Sequence, residues 1–216
     1  MTTKESFKLI NSFLYSFVVA FAPLEYIFLI PLFLILYYEK SSLLNILKKL
    51  LVLNLFIVIL VLFVYFQNPA EAIDIFIRTN LILLFNIALF HHSKGYDIVR
   101  GLDALRFPPK IVSVAYFTLS LISYLSMDLK ETKNSLKARG FSSNTSLFTY
   151  QTYGNIFAMI FIKALKKSED MKLSMSARGF EDKIFFLNSN SIAVLEKGLF
   201  LLNILILLKV GYELFS

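Results

Sequence analysis

The feature that most constrains this chain is a series of long stretches with almost no charge. Residues 9–38 contain a single charged side chain, Glu25, and residues 50–70, 79–93 and 111–127 contain none when the histidines are neutral. A helix needs about 20 apolar residues to cross the hydrocarbon core of a bilayer. Runs of this length, in a chain that is 57% hydrophobic with a mean hydropathy of +0.67, indicate an integral membrane protein.

The apolar runs do not alternate between polar and apolar residues, as the strands of a membrane β-barrel do. In lipid the backbone must satisfy its own hydrogen bonds, so runs of this kind form helices. We therefore predict an all-α integral membrane protein with about five transmembrane helices. The segments expected to form them are 7–20, 23–38, 50–66, 75–92 and 192–213.

The N-terminus permits a second interpretation. Lys4 and Lys8 precede an apolar run that ends in Ala-Phe-Ala at residues 20–22, and this resembles a signal peptide with its cleavage site. The apolar pattern resumes at once through residues 23–38, however. A hairpin of two short membrane helices is therefore the favoured interpretation.

Charge is concentrated in one block, residues 93–183. This block carries 14 of the 22 Lys and Arg residues but only 8 of the 15 Asp and Glu residues, so most of the net charge of +7 lies there. The positive-inside rule places such a block in the cytoplasm, and the loop 67–74, which has no positive charge, fits the outer side. Basic blocks also occur in nucleic-acid-binding proteins, but here the topology signal explains the charge, and we expect no nucleic-acid partner.

These patterns predict one membrane domain, residues 1–216. Transmembrane helices occupy 1–92, a cytoplasmic helical region occupies 93–183, and a final transmembrane helix lies in 184–216. The N-terminus is expected to be cytoplasmic.

A short phrase occurs twice within the basic block. Residues 135–141 read Ser-Leu-Lys-Ala-Arg-Gly-Phe and residues 174–180 read Ser-Met-Ser-Ala-Arg-Gly-Phe, so five of the seven positions are identical. In a membrane protein, a phrase repeated at two helix ends suggests two equivalent docking points for a partner present in two copies.

Each copy ends a long amphipathic segment, predicted as a helix over about 109–139 and over about 148–178. Residues at alternating spacings of three and four form one stripe that leads to each arginine. The stripes are Leu125, Leu129, Thr132, Leu136 and Arg139 in the first segment, and Ala164, Ser168, Met171, Met175 and Arg178 in the second.

A complete membrane crossing by 109–139 would place the two copies on opposite faces of the membrane. It would also leave several positive charges outside, against the positive-inside rule. We therefore predict that each long helix begins in or against the membrane and ends in the cytoplasm.

The repeated phrase has a structural and a functional interpretation. A glycine after the last turn, with arginine near the negative end of the helix dipole, is a common way to end a helix. In the functional interpretation the alanines let a partner approach, the arginines pair with carboxylates, and the phenylalanines anchor the contact. The residues concerned are Ala138, Arg139, Gly140 and Phe141 in the first copy, and Ala177, Arg178, Gly179 and Phe180 in the second.

With these motifs, the chain resembles the transmembrane T component of energy-coupling factor (ECF) transporters, of the cobalt-transport CbiQ type. The resemblance covers residues 95–183. The matching elements are Gly101-Leu102 through Leu105-Arg106-Phe107-Pro108-Pro109, and then the two Ala-Arg-Gly-Phe helix ends in order. Pro108 and Pro109 are expected to separate a short helix at 96–105 from the long one, because proline restricts the residue before it and starts helices well.

The resemblance implies the coupling subunit of an ATP-driven importer, with no catalytic role of its own. It also implies a location in the cell membrane (the inner membrane, where there are two) of a bacterium or archaeon. The two Ala-Arg-Gly motifs would dock on two ABC-type ATPase subunits. The apolar faces of the same coupling helices would hold a separate substrate-binding membrane subunit (S subunit), which takes up a cobalt or nickel ion or a vitamin.

No phosphate-binding Gly-x-x-x-x-Gly-Lys motif occurs, so the ATP is expected to bind to the partner ATPases, and we expect no cofactor in this chain. The chain has no cysteine, which excludes disulfides and thiol chemistry. His91 and His92 are adjacent, so on a helix they point about 100° apart. A solvated pair is favoured over a metal site.

The alternative function is a self-contained secondary transporter or channel. Such a protein needs a polar pathway, and the candidates within or beside the apolar helices are Glu25, Asn54, Arg78 and Asn86. A membrane enzyme acting on lipids is less favoured, because it would need a constellation of Asp, His and Ser at the interface and only the two adjacent histidines are present.

Overall fold

The computed structural model describes residues 4–142, 144–186 and 194–215. Within these ranges the secondary structure is helical and contains no β-strand, which confirms the expected all-α class. The helices are α1 (Lys4–Phe21), α2 (Leu29–Tyr38), α3 (Leu43–Tyr65), α4 (Pro69–Leu89), α5 (Gly95–Ala104), α6 (Pro109–Ala138), α7 (Leu147–Ala177) and α8 (Val194–Phe215), with 3₁₀ turns at Tyr26–Phe28 and Lys40–Ser42.

Each predicted segment overlaps one helix, and the starts of α2, α3 and α4 differ most from the prediction. α2 begins at Leu29 rather than at residue 23, because a 3₁₀ turn at Tyr26–Phe28 precedes it. α3 begins at Leu43 rather than near residue 50, because Lys48 and Lys49 continue the helix although they interrupt the apolar run. α4 begins at Pro69 because the Asn68 side chain caps it, accepting a backbone N–H of the first turn at 3.2 Å.

Three helices are long and apolar enough to cross a membrane: Leu43–Tyr65, Pro69–Leu89 and Pro109–Ala138. These helices support the assignment as a membrane protein. Tyr26–Tyr38 is apolar but shorter. Length and composition therefore identify fewer spans than the five that the sequence predicted.

The third of these helices, α6, was predicted not to cross. Its first part is free of charge, from Ile111 to Met127, while the second part carries three Lys, one Glu and one Asp side chain. The helix is therefore apolar enough in one portion to enter a membrane and charged enough in the other to leave it.

Two compact units make up the chain. One comprises Met1–Leu105 with Leu187–Ser216, and the other comprises Arg106–Phe186. The short helix α5, which the charge pattern assigned to the basic block, belongs to the first unit and packs on α1. The second unit contains α6 and α7 with both copies of the repeated phrase.

The apolar core lies in the first unit and is formed by α1, α2, α4 and α8, with Ile46 of α3 also buried in it. Tyr15 of α1 stacks on Phe85 of α4 with 3.9 Å between ring centroids. Its hydroxyl donates a hydrogen bond of 3.0 Å to the Phe28 carbonyl, so this buried tyrosine also satisfies its polar atom.

Arg78 of α4 closes the C-terminal end of α1. Its guanidinium donates hydrogen bonds to the carbonyls of Val19 and Ala22, the first at 2.7 Å, and its Nε pairs with Asp74 at 2.6 Å. The last carbonyls of a helix have no partner within it, so a cation placed there satisfies them and the helix dipole together. This arginine therefore has a structural role.

Gly101 of α5 lies where α5 approaches α1 most closely. A Cβ added at this position would lie 2.6 Å from Leu9 Cδ1 and 3.1 Å from the Glu5 carbonyl oxygen. A leucine side chain can move, but the backbone oxygen of a packed helix moves little. The contact between α1 and α5 therefore requires a residue without a side chain.

We expect Gly101→Ala to destabilise the first unit. Overpacking of this kind costs about 1–3 kcal/mol, and the higher helix propensity of alanine offsets up to about 1 kcal/mol. Thermal unfolding in detergent should show a lower midpoint than wild type. Gly198→Ala is the matched control, because a Cβ there meets no atom within 4 Å; equal midpoints for the two variants would contradict the packing account.

Candidate functional site

The first copy of the repeated phrase ends α6 in a Schellman motif. The N–H of Phe141 donates to the Leu136 carbonyl at 3.0 Å, and the N–H of Gly140 donates to the Lys137 carbonyl at 3.0 Å. Gly140 has φ = 80°, the left-handed conformation that this ending requires and that glycine adopts at little cost. Arg139 is the C-cap residue between helix and turn.

The second copy ends α7 in the same way. The N–H of Phe180 donates to the Met175 carbonyl at 3.1 Å, the N–H of Gly179 donates to the Ser176 carbonyl at 3.1 Å, and Gly179 has φ = 67°. Arg178 is again the C-cap. The two helix ends therefore have the same local structure as well as the same sequence.

The two phenylalanines pack within their own unit. Phe141 lies 6.2 Å from Phe148 and 6.1 Å from Tyr153, both on α7, measured between ring centroids. Phe180 lies 5.6 Å from Phe117 of α6. The helix ending thus accounts for the glycine and the phenylalanine of each copy, and these rings hold the helix ends in place.

The alanine and arginine of each copy are not explained in this way. Ala138, Arg139, Ala177 and Arg178 are all exposed. Among the residues that the structure describes, neither arginine forms an ion pair or a side-chain hydrogen bond. Two guanidinium groups are therefore exposed at capped helix ends.

α6 and α7 run antiparallel. Asp128 of α6 pairs with Lys163 of α7 at 2.9 Å, and towards the other end Ser113 donates a hydrogen bond of 2.7 Å to the Asp182 carbonyl after α7. The two helices therefore form a hairpin, with one Ala-Arg-Gly motif at each end. A helix of 30 residues is about 45 Å long, so the two arginines are separated by roughly that distance.

The predicted stripes lie on the more buried sides of the two helices. Neighbouring Lys130 and Lys133 are exposed, as expected for the solvated side of α6. The stripe residues that are half-buried are Leu125, Leu129, Thr132 and Leu136 on α6, and Ala164, Met171 and Met175 on α7. Ser168 is an exposed position within the second stripe, and both stripes are exposed at their arginines.

The start of the hairpin agrees with the prediction from its prolines. Pro108 is the N-cap residue of α6 and Pro109 is its first helical residue. Proline is well suited to this position because the first N–H groups of a helix have no partner within it. α5 ends at Ala104, so the two prolines do follow a short separate helix.

The other polar candidates mostly form contacts inside the first unit. Glu25 pairs with Lys209 of α8, and the amide of Asn54 donates to Asn80 at 2.8 Å. Asn86 accepts a hydrogen bond from Ser12 and donates to Ser16 at 3.0 Å. Sequence reasoning did not predict these partners, because they come from helices that are distant along the chain.

The two adjacent histidines have different surroundings. His92 Nε2 lies 2.9 Å from Glu39 Oε2, while His91 Nδ1 has no hydrogen-bond partner within the described part of the chain. Over the described residues, no group of three or more His, Asp or Glu side chains is arranged to hold a metal ion.

The positive φ of the two glycines predicts the effect of adding a methyl group. No atom lies within 4 Å of a Cβ at Gly140 or Gly179, so Ala there adds only the cost of the left-handed backbone, about 1–2 kcal/mol. We expect Gly140→Ala and Gly179→Ala each to lower the thermal midpoint in detergent.

Gly154 is the matched control for this prediction. It lies inside α7, and a Cβ there also meets no atom within 4 Å. Because alanine favours the helix by up to about 1 kcal/mol, Gly154→Ala should raise the midpoint. The Schellman account would be wrong if all three variants changed the midpoint in the same direction.

The chain is similar to a known protein family. The family model described as CbiQ, cobalt transport protein, matches residues 4–185, which is most of the chain. No curated protein matches the chain. The chain therefore belongs to the CbiQ cobalt transport protein family.

Proposed function

We propose that this member of the CbiQ family is the coupling subunit, or T component, of an energy-coupling factor importer. In this proposal two ABC-type ATPase subunits bind and hydrolyse ATP, and the chain transmits their motion to a separate substrate-binding S subunit. The family match supports a membrane component of cobalt transport, and the chain has no phosphate-binding motif of its own. The partners would therefore supply the nucleotide chemistry.

One observation carries the proposal: the hairpin presents the same exposed arginine at each of its two ends. Arginine pairs bidentately with carboxylates, and its planar fork is partly preorganised for that contact. Exposed Ala138 and Ala177 precede the arginines, and their small side chains leave room for the surface of a partner subunit. Two equal sites suit two equivalent or closely similar ATPase subunits.

We infer a topology in which both ends of the hairpin are cytoplasmic. The basic block that contains it favours that side. α3 and α4 cross the membrane in this arrangement, and α1, α2 with its 3₁₀ turn, and α8 complete the five spans. Since α6 and α7 are antiparallel, the hairpin can present both arginines to one side only if α6 does not cross completely.

The S subunit would bind to apolar surface on the long helices. Ile122 and Met127 of α6 are 54% and 61% exposed, and Phe157 and Phe161 of α7 are 73% and 56% exposed. Apolar surface of this extent, on helices that also carry many charges, is typical of a site that a membrane partner covers. The substrate is a micronutrient, a cobalt or nickel ion or a vitamin, and the family description favours the metal ion.

The contacts in the first unit give less support to a self-contained transporter. Asn86 and Arg78, two of the residues that could have lined a polar pathway, instead join α4 to α1. Asn54 donates to Asn80 between α3 and α4. These polar groups are used in helix packing.

The docking proposal predicts that the arginines determine ATPase attachment. Truncating one partner of a buried charge pair costs about 2 kcal/mol or more, so Arg139→Ala or Arg178→Ala should each weaken attachment at least about 30-fold. The double variant should lose the ATPases. Affinity purification from gently solubilised native membranes, with quantitative mass spectrometry of the copurified proteins, measures this.

Lys137→Ala and Lys172→Ala are the matched controls. Each removes an exposed positive charge that lies outside the Ala-Arg-Gly motif but on the same helix as its arginine. They should retain the ATPases. Arg139→Lys and Arg178→Lys should give intermediate recovery, since lysine keeps the charge and loses the fork. Normal recovery with both alanine variants would reduce the arginines to helix caps and refute the proposal.

A further inference from the structure

A pocket of about 660 Å³ opens between α3 and α4 in the first unit. From α3 its wall receives Asn45, Lys48, Lys49, Val52 and Leu53. These residues recur at spacings of three and four, so they share one face of the helix. Along that face the side chains change from polar to apolar within about two turns.

The other wall of the pocket consists of Ile87 of α4 and His91, which follows the end of that helix at Leu89. α4 runs antiparallel to α3, and the hydrogen bond between Asn54 and Asn80 sets their register. Ile87 therefore lies close to the level of the lysines, and His91 lies towards the start of α3. The change from polar to apolar side chains along α3 is the pattern expected where a membrane surface meets the hydrocarbon.

The polar end of the pocket has positive charge without a counter-charge. Lys48 and Lys49 are exposed, and neither forms an ion pair with a carboxylate among the residues described here. His91 Nδ1 has no hydrogen-bond partner in the same part of the chain. The apolar end, by contrast, exposes Val52 to the extent of 72% on a helix long enough to span the membrane.

We propose that this pocket binds an anionic phospholipid of the phosphatidylglycerol class. The phosphate of the headgroup pairs with Lys48 and Lys49, its glycerol hydroxyls reach Asn45, and one acyl chain lies along Leu53 and Ile87. Basic pockets between membrane helices bind anionic headgroups in this way, and lysine stems lie readily against apolar surface. A free phosphate would use only the lysines and leave the apolar wall uncovered.

The test is native mass spectrometry of the purified full chain, equilibrated with equal amounts of phosphatidylglycerol and phosphatidylcholine. Two lysines at a membrane surface give a preference of about tenfold or more for the anionic lipid. Wild type and the Lys48→Arg/Lys49→Arg variant should both show this preference in the first lipid molecule that they retain. Lys48→Gln/Lys49→Gln should reduce it to less than about twofold.

Lys166→Gln/Lys167→Gln provides the matched control, because it removes the same charge from an adjacent pair on α7. It should keep the wild-type preference, and an excess of inorganic phosphate should not displace the lipid. The proposal is overturned if wild type shows no preference, if the Lys48/Lys49 glutamine variant retains it, or if the control loses it equally. Displacement by inorganic phosphate would also overturn it, since the pocket would then be a simple anion site.

Discussion

The left-handed glycine at the end of each long helix is the constraint on which the candidate docking site depends. Gly140 and Gly179 let the chain leave α6 and α7 in the same geometry, and the following phenylalanine packs back onto the neighbouring helix. The arginine before each glycine is thereby held at a fixed, exposed position. Without these endings the guanidinium groups would lie on longer or frayed helices and would not share one local geometry.

In the first unit, helices of mainly apolar sequence also carry polar side chains, and these side chains form hydrogen bonds between helices. Arg78 satisfies carbonyls at the end of α1, and Asn86 bonds to serines of the same helix. Buried polar groups of this kind cost free energy unless they are paired, so their pairing fixes which helices are neighbours. The pocket between α3 and α4 differs, because its two lysines have no such partner in the described part of the chain.

The sequence predicted the helices well, since long apolar runs, prolines and Arg-Gly helix ends are local signals. It also predicted the arginine stripes, because three- and four-residue spacings follow directly from helix geometry. It did not predict that Phe141 and Phe180 pack inside the hairpin, or that Glu25 pairs with Lys209, because such contacts depend on the tertiary arrangement. Helix starts such as Leu43 were displaced because charged residues extended the helix beyond the apolar run.

The proposed topology places both ends of the antiparallel hairpin on the cytoplasmic side of the membrane. The chain has no cysteine, so Ala138→Cys, Ala177→Cys and, as an external control in the loop before α4, Gln67→Cys can each be labelled alone. A membrane-impermeant maleimide should label positions 138 and 177 in inside-out vesicles but not in intact cells, and position 67 in the reverse pattern. Labelling of positions 138 and 177 from opposite sides of the membrane would contradict the claim, because a single ATPase pair could not then bind both arginines.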